Sequence, residues 1–448
     1  MIRHLTCCSC GVHRRNFMTF WPRFTMAMLL FGCVGPSRAA DTNLEEQVQL
    51  LREQNTILQQ QMQKQSQTLD ALTQKVQDLE AANSEREKPD SPDSAPAKSG
   101  FNFGNVVLSG EGGVGFQKTG SEGFSPNSSF TVEEARLFLD APIWKDVYFF
   151  SEMDLATPEN NNAQVNLGEL YVDFEDVSQL WGRDDQLNVR AGKMNIPFGE
   201  EYLTRYAIDN PLILNSVSDL WGFDPGLEIY GAMGKWSYVV AVQNGGGNGV
   251  QDDNNDKSVA GRISFDPNKN WHFSVSGMRT DNLSAENNGL SAVWFAKGFF
   301  QSIGSPATTE FHVNAVELDA TARWASGYVK AFGGYAHYGD NDPTSANDRD
   351  IFYYSAEAVQ NLPKHFYAVT RFSEVIADKG YPIMGNGNPG DYFSELTTDL
   401  WRLSLGFGYR FSNRLVIKTE YAFEGGQQMN GKSRNEENFF GTEIGFKF

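Results

Sequence analysis

Three cations fall within the stretch "VRAGKMNIPFGEEYLTRYAI", residues 189–208: Arg190, Lys193 and Arg205. Side chains of this type suit the holding of a small anion. Arginine in particular offers paired N–H donors to a carboxylate or a phosphate. Alternation with Leu187, Val189 and Ala191 sets Arg190 on the face opposite those apolar residues. Lys193 falls on the apolar face unless Gly192 carries a bulge. Arg205 lies beyond Pro197, which ends the extended segment because it cannot donate to a ladder. The rest, "GEEYLTRYAI", has the makings of a short helical turn. A plainer reading competes with anion contact: each arginine pairs with Glu200, Glu201 or Asp209 and pins the segment.

Other chemistry is poorly supported. After residue 40 the histidines are His272, His312, His337 and His365, in four separate segments with no paired spacing. A hydrolase would need one beside a Ser or Asp. "QDDNNDKS" and "GDNDPTSANDRD" are rich in oxygen ligands but lack the EF-hand order with its central glycine. No catalytic residue, metal site or cofactor is expected.

Residues 1–40 hold five of the 37 basic residues and none of the 56 acidic ones, so the remainder is more acidic than the net charge of −19. Clustered cations are what phosphate neutralisation requires, and a nucleic-acid partner is not expected. The same 40 residues read as a secretory signal: a basic lead, the apolar stretch 24–35, then small residues at Ser37 and Ala39. Cleavage after Ala39 gives a signal peptide of 1–39, with Met18 as an alternative start. "LFGC", ending at Cys33, is a looser match to a lipoprotein box. All four cysteines (Cys7, Cys8, Cys10, Cys33) lie in this segment, so the mature chain is read as cysteine-free.

Residues 41–83 follow a different pattern. Leu44, Val48, Leu51, Asn55, Leu58, Met62, Gln65, Leu69, Leu72, Val76, Leu79 and Asn83 recur in steps of four and three. That is a heptad repeat, and it predicts an α-helical coiled coil. Its seam leaves dimer and trimer both open. Residues 84–100, "SEREKPDSPDSAPAKSG", read as a Pro- and Ser-rich linker.

From Phe101 the period becomes two. Trp401, Leu403, Leu405, Phe407, Tyr409 and Phe411 alternate with Arg402, Ser404 and Arg410. Ile417, Tyr421 and Phe423 alternate with Val416, Lys418, Glu420 and Glu424, and Leu170, Val172 and Phe174 with Glu169, Tyr171 and Asp173. Such strands have one polar and one apolar face. Mid-strand charges (Glu152, Asp154, Glu317, Asp319, Arg323) suit a wet lumen. Aromatics near segment ends (Trp144, Tyr148, Trp236, Tyr238, Trp271, Trp324, Tyr328, Phe411) match interfacial girdles. No apolar run after the signal reaches 18 residues, so crossing a membrane requires a closed barrel.

Connection lengths test this. Short turns near 141–145, 178–185, 234–235, 266–270, 325–327, 361–364 and 412–413 alternate with long polar loops near 118–128, 157–164, 195–223, 245–256, 282–310, 339–349, 377–398 and 426–435. The pattern predicts a sixteen-stranded antiparallel transmembrane β-barrel over 101–448, with both chain ends on the turn side. "GLSAVWFAKGF", residues 289–299, has to sit in a loop, and eighteen strands is the alternative count. A barrel of sixteen strands leaves an aqueous channel.

The stretch "VRAGKMNIPFGEEYLTRYAIDNPLI" resembles the strand-to-loop signature of the phosphate-selective porin O and P family at Gly192, Pro197, Phe198, Gly199 and Glu200. "TVEEARLFLDAPIWKDVYFFSEMDLA" and "NLGELYVDF" resemble it too, over residues 130–235 most closely. The resemblance implies an outer-membrane homotrimer of sixteen-stranded barrels whose third loop folds into the pore, and anion selection by basic residues along the lumen. Connection counting separately makes 195–223 the third long loop. The expected lumen departs from the family in carrying many carboxylates. Arg136, Arg402, Arg410 and Lys418, with Lys330 and Lys447, are its inward cations; Glu152 and Asp154 are among its inward acids.

The expected activity is passive diffusion of small hydrophilic solutes or ions across the outer membrane, phosphate among them. The alternatives are a general or cation-preferring pore, or a membrane anchor whose working part is a periplasmic coiled coil touching the cell wall. The chain ends "NFFGTEIGFKF", with Phe440, Ile444, Phe446 and Phe448 on one face. This is read as the closing strand, and Phe446 and Phe448 resemble the terminal signal for barrel assembly.

Overall fold

The computed structural model describes residues 101–103, 105–156, 165–220, 222–245, 255–284, 308–342, 347–388 and 396–448. The predicted signal peptide, coiled coil and linker, and the segment 289–299, lie outside the described residues. Among the described residues sixteen long strands form one sheet. They are β1 (Val106–Thr119), β2 (Ser129–Trp144), β3 (Val147–Ala156), β4 (Asn166–Phe174), β5 (Asn188–Asn195), β6 (Phe223–Met233), β7 (Trp236–Gln243) and β8 (Ser258–Asn268). β9 (Trp271–Arg279), β10 (Glu310–Trp324), β11 (Gly327–Asp340), β12 (Arg349–Asn361), β13 (Phe366–Tyr381), β14 (Thr397–Ser412), β15 (Leu415–Gln428) and β16 (Phe439–Lys447) complete it.

Each strand runs antiparallel to the next, and β16 pairs back onto β1 with Ile444 opposite Val114. No edge is left open to lipid. β9 pairs directly with β10, Ser276 opposite Glu317, so the barrel closes with sixteen strands and not eighteen. At the seam the Phe448 N–H donates to Gly110 O (2.9 Å) and the Gly110 N–H to Phe448 O (3.2 Å).

Side-chain alternation decides which residues face outward. Leu405, Phe407, Ile417, Tyr421, Phe423, Phe440, Ile444 and Phe448 are exposed on the outside, while Arg402, Ser404, Lys418, Glu420, Glu424 and Glu443 are buried inside. Trp144, Trp236, Trp271, Trp324 and Phe411 are exposed at the turn end of their strands, as an interfacial girdle requires. Two expected girdle members are not part of it. Tyr328 shares a face with Lys330, opposite Val329, and its hydroxyl donates to the inward Glu357 (2.9 Å). Tyr148 likewise falls on the face of Glu152 and Asp154. Proximity to a strand end did not fix the face; parity along the strand did.

The wall is uneven. β4 to β9 are 8 to 11 residues long, whereas β10 to β15 are 13 to 16. The connection between β5 and β6 starts from the low side.

Candidate permeation site

Residues 196–222 leave β5 and fold inward. At Gly199 the backbone takes φ 66°, and a Cβ there would lie 2.4 Å from Glu317 Oε1, so the loop enters over a position only glycine fits. The next residues form a short 3-10 turn, Glu201–Thr204. The loop then crosses the lumen and is tied down at each stage. The Gly199 N–H donates to Ser276 Oγ (3.0 Å) of β9, and Glu200 meets His272 Nε2 (2.8 Å). Lys330 of β11 donates to Thr204 Oγ1 (3.2 Å). On the far side the Ala207 N–H donates to Glu134 (2.7 Å) of β2.

The return path is held by basic residues of the tall wall. Lys418 Nζ donates to three loop carbonyls, those of Ala207 (2.8 Å), Asn210 (3.0 Å) and Leu212 (2.6 Å), and pairs with Glu443 (3.0 Å). Arg371 donates to Leu214 O (2.7 Å), Arg402 to Asn215 O (2.8 Å) and Arg410 to Ile208 O (3.1 Å). Glu420 accepts the N–H groups of Ile213 (2.7 Å) and Leu214 (2.8 Å). Ile208 and Leu212 also pack with Val359, Tyr367, Val369 and Val416. Loop backbone groups cannot go unpaired once withdrawn from water, and inward charges on β13 to β15 replace that water.

Inside the loop, Glu201 accepts from Ser216 N–H (3.0 Å) and Oγ (2.5 Å), and Arg205 pairs with Asp219 (3.1 Å). Burial pushes the Tyr202 hydroxyl up, so it stays neutral.

What remains is a cavity of about 630 Å³ between the loop and the low wall. Tyr202 and Leu203 line it from the loop; Glu169, Arg190, Glu228, Tyr230 and Arg262 line it from β4, β5, β6 and β8. The Arg190 guanidinium lies over the Tyr171 ring (4.3 Å) and the Tyr230 ring (4.9 Å), bridging Asp173 (2.9 Å) and Glu228 (2.9 Å). Arg262 donates to Gly199 O and to Tyr202 Oη (3.2 Å), with Glu200 at 3.6 Å.

The three cations of the opening stretch separate. Arg190 borders the cavity, already flanked by two carboxylates. Arg205 is buried against Asp219, a partner the sequence did not indicate. Gly192 takes φ 144°, but register runs unbroken through it, Tyr171 opposite Gly192 and Leu170 opposite Lys193. Lys193 therefore keeps the strand parity of Leu170, yet it is buried, with its Nζ donating to Leu167 O (2.8 Å) and lying 5.8 Å from the Phe223 ring.

The other inward charges form networks. Arg136 sits among Glu134 (3.1 Å), Asp154 (3.2 Å) and Glu152 (3.4 Å), with Tyr206 of the loop stacked at 4.0 Å. Arg402 pairs with Glu424 (2.6 Å) and Lys447 approaches Asp209 (3.8 Å). Sequence reasoning did not single out Arg262, Glu228, Tyr202 or Tyr230 for the cavity, nor Arg371 and Glu420 as anchors. Lumen parity gave the available signal: Arg262 alternates with Ile263 and Glu228 with Leu227 and Ile229, all exposed outside.

Residues 112–290 match the family described as phosphate-selective porin O and P. Among solved structures, the outer membrane channel DcaP of Acinetobacter baumannii superposes with a TM-score of 0.53 at 13% identity, covering 78% of this chain and 99% of its own. OprB of Pseudomonas putida gives 0.51 at 9% identity, covering 77% and 94%. OmpT of Vibrio cholerae, an outer membrane protein, gives 0.50 at 10% identity, covering 77% and 97%. At these identities the likeness speaks for the fold. No curated protein matches the sequence.

Proposed function

For a chain that carries the phosphate-selective porin O and P family match over residues 112–290, we propose an outer-membrane channel for passive diffusion of small hydrophilic solutes and ions. The observation that carries this reading is the cavity left between the inward-folded loop and the low wall. A loop tied to β2, β9, β11 and β13 to β15 narrows the lumen without filling it. A barrel serving only as a membrane anchor has no use for such a restrictor.

Within this reading the lining favours a general or mildly cation-preferring pore over a phosphate-selective one. Arg190 is matched by Asp173 and Glu228, and Arg262 by Glu200. Glu169 and Asp185 add negative charge to the same cavity. A permeating phosphate would have to displace carboxylates already bound, against repulsion from those that remain. Purified protein in a planar bilayer under a tenfold KCl gradient tests both parts. Discrete current steps with a reversal potential on the K⁺ side are expected. Absence of steps would favour the anchor, and a strong chloride or phosphate preference would restore the anion reading.

Assembly as a homotrimer, with a periplasmic coiled coil clamping the trimer or reaching toward the cell wall, belongs to the same proposal. The family resemblance and the heptad pattern of 41–83 support it.

A further inference from the structure

We propose that Glu169 sets the ion preference of the channel, because the third loop covers the cations of the tall wall and leaves this carboxylate in the cavity without a cation of its own. This inference rests on the channel reading and deepens it by naming the residue that discriminates between ions.

Positive charge is present in the lumen but enclosed. Arg371, Arg402 and Lys418 project inward from β13, β14 and β15, and all three are buried. Each donates to a loop carbonyl on one side. Each also pairs with a wall carboxylate, Glu357, Glu424 and Glu443 in turn. The loop itself thus stands between these cations and a permeating anion, and the paired carboxylate offsets much of each field. The loop that narrows the lumen also decides which sign of charge the passage meets.

On the low wall the cations of the cavity lining are already matched. Arg190 serves two carboxylates, Asp173 and Glu228, and Arg262 faces Glu200. Lys193, opposite Leu170 in the ladder, turns its ammonium to Leu167 O and not to Glu169. Glu169 lines the cavity from β4 and has no ion-pair partner among the described residues. Its Oε1 accepts the Asn195 N–H (2.8 Å), the last residue of β5 before the loop departs. The carboxylate is therefore fixed at the foot of the restrictor. Asp185, the other unpaired lining carboxylate, is exposed in the turn between β4 and β5, where salt screens it. A fixed, unmatched carboxylate on the wall of a cleft concentrates cations and repels anions.

Reversal potentials in planar bilayers under a KCl gradient test the inference with Glu169→Gln and Glu169→Asp. Glutamine keeps the shape and can still accept the Asn195 N–H, so the charge alone is lost. At about 0.1 M salt, where screening extends about 10 Å, the K⁺-to-Cl⁻ permeability ratio should fall about twofold or more in Glu169→Gln. Glu169→Asp keeps the charge and should retain most of the native ratio. At about 1 M salt, where screening extends only about 3 Å, the gap between native protein and Glu169→Gln should shrink. A ratio unchanged in Glu169→Gln, or lowered equally in both variants, would overturn the inference and leave the channel standing. A native channel that prefers Cl⁻ would overturn it as well. Absence of current steps in the native protein would instead remove the channel reading and the inference with it.

Discussion

Lys418→Met gives the sharpest test of how the restrictor is held. Lys418 is 1% exposed and serves three loop carbonyls and one carboxylate at once. Methionine fills similar space but donates nothing, so the carbonyls of Ala207, Asn210 and Leu212 and the Glu443 carboxylate lose their common partner. Removing one side of a buried ion pair costs about 3–5 kcal/mol. The barrel ladder is untouched, because the backbone of residue 418 still pairs with Gly408 and Glu443. The cost therefore falls on docking of residues 207–214. At about 1.4 kcal/mol per factor of ten, undocking of that segment becomes roughly a hundredfold to a few thousandfold more frequent. Arg371, Arg402 and Glu420 still hold the adjoining residues, so the loop loosens and is not lost. Single-channel recordings should show added open-channel noise and brief excursions to higher conductance. A Lys418→Met trace indistinguishable from the native one would refute the anchoring argument.

Other consequences can be measured in the same preparations. Both His272 nitrogens lie 2.8 Å from carboxylates, Nε2 from Glu200 and Nδ1 from Asp266, and only the imidazolium donates from both. This clasp is complete at acidic pH and loses one contact as the ring deprotonates on raising pH. Gating noise should then increase on going from acidic to alkaline pH in the native channel and stay flat in His272→Gln; equal pH dependence in both would discount the clasp. Deleting Phe448 removes the backbone pair with Gly110 and the ring lying over it. Insertion yield should drop severalfold while the pores that form keep native conductance, and unchanged yield would count against the seam's role in assembly. Deleting 41–99 should lower the melting temperature of the proposed trimer if the coil clamps it, and an unchanged value would leave only the cell-wall role.

Much of the barrel was legible because its physics is local. A strand with lipid on one side and water on the other must alternate, so Phe407 and Arg402 could be assigned faces from neighbours alone. Turn and loop lengths alternate for the same reason, which fixed sixteen strands and made 195–223 the third loop. The site was less legible because its partners lie far apart in sequence. Lys418 reaches carbonyls more than 200 residues away, and nothing near it distinguishes a loop anchor from a free lumen charge. Arg205 paired with Asp219 where nearer carboxylates were expected, because the loop doubles back on itself. Arg262 and Glu228 have no motif around them. Their importance comes from where the loop stops, which depends on the whole wall. Tyr328 shows the limit of composition: an aromatic near a strand end belongs to the girdle only when parity turns it outward.

In the proposed channel, current passes between the third loop and the low wall. Leu203 is 52% exposed on the loop's cavity face, and no other cysteine lies in residues 34–448 to compete for a thiol reagent. In Leu203→Cys channels, a charged methanethiosulfonate reagent added to an open single channel should produce a stepwise fall in current that a reductant reverses. Current unchanged by complete modification of that thiol would rule out this path.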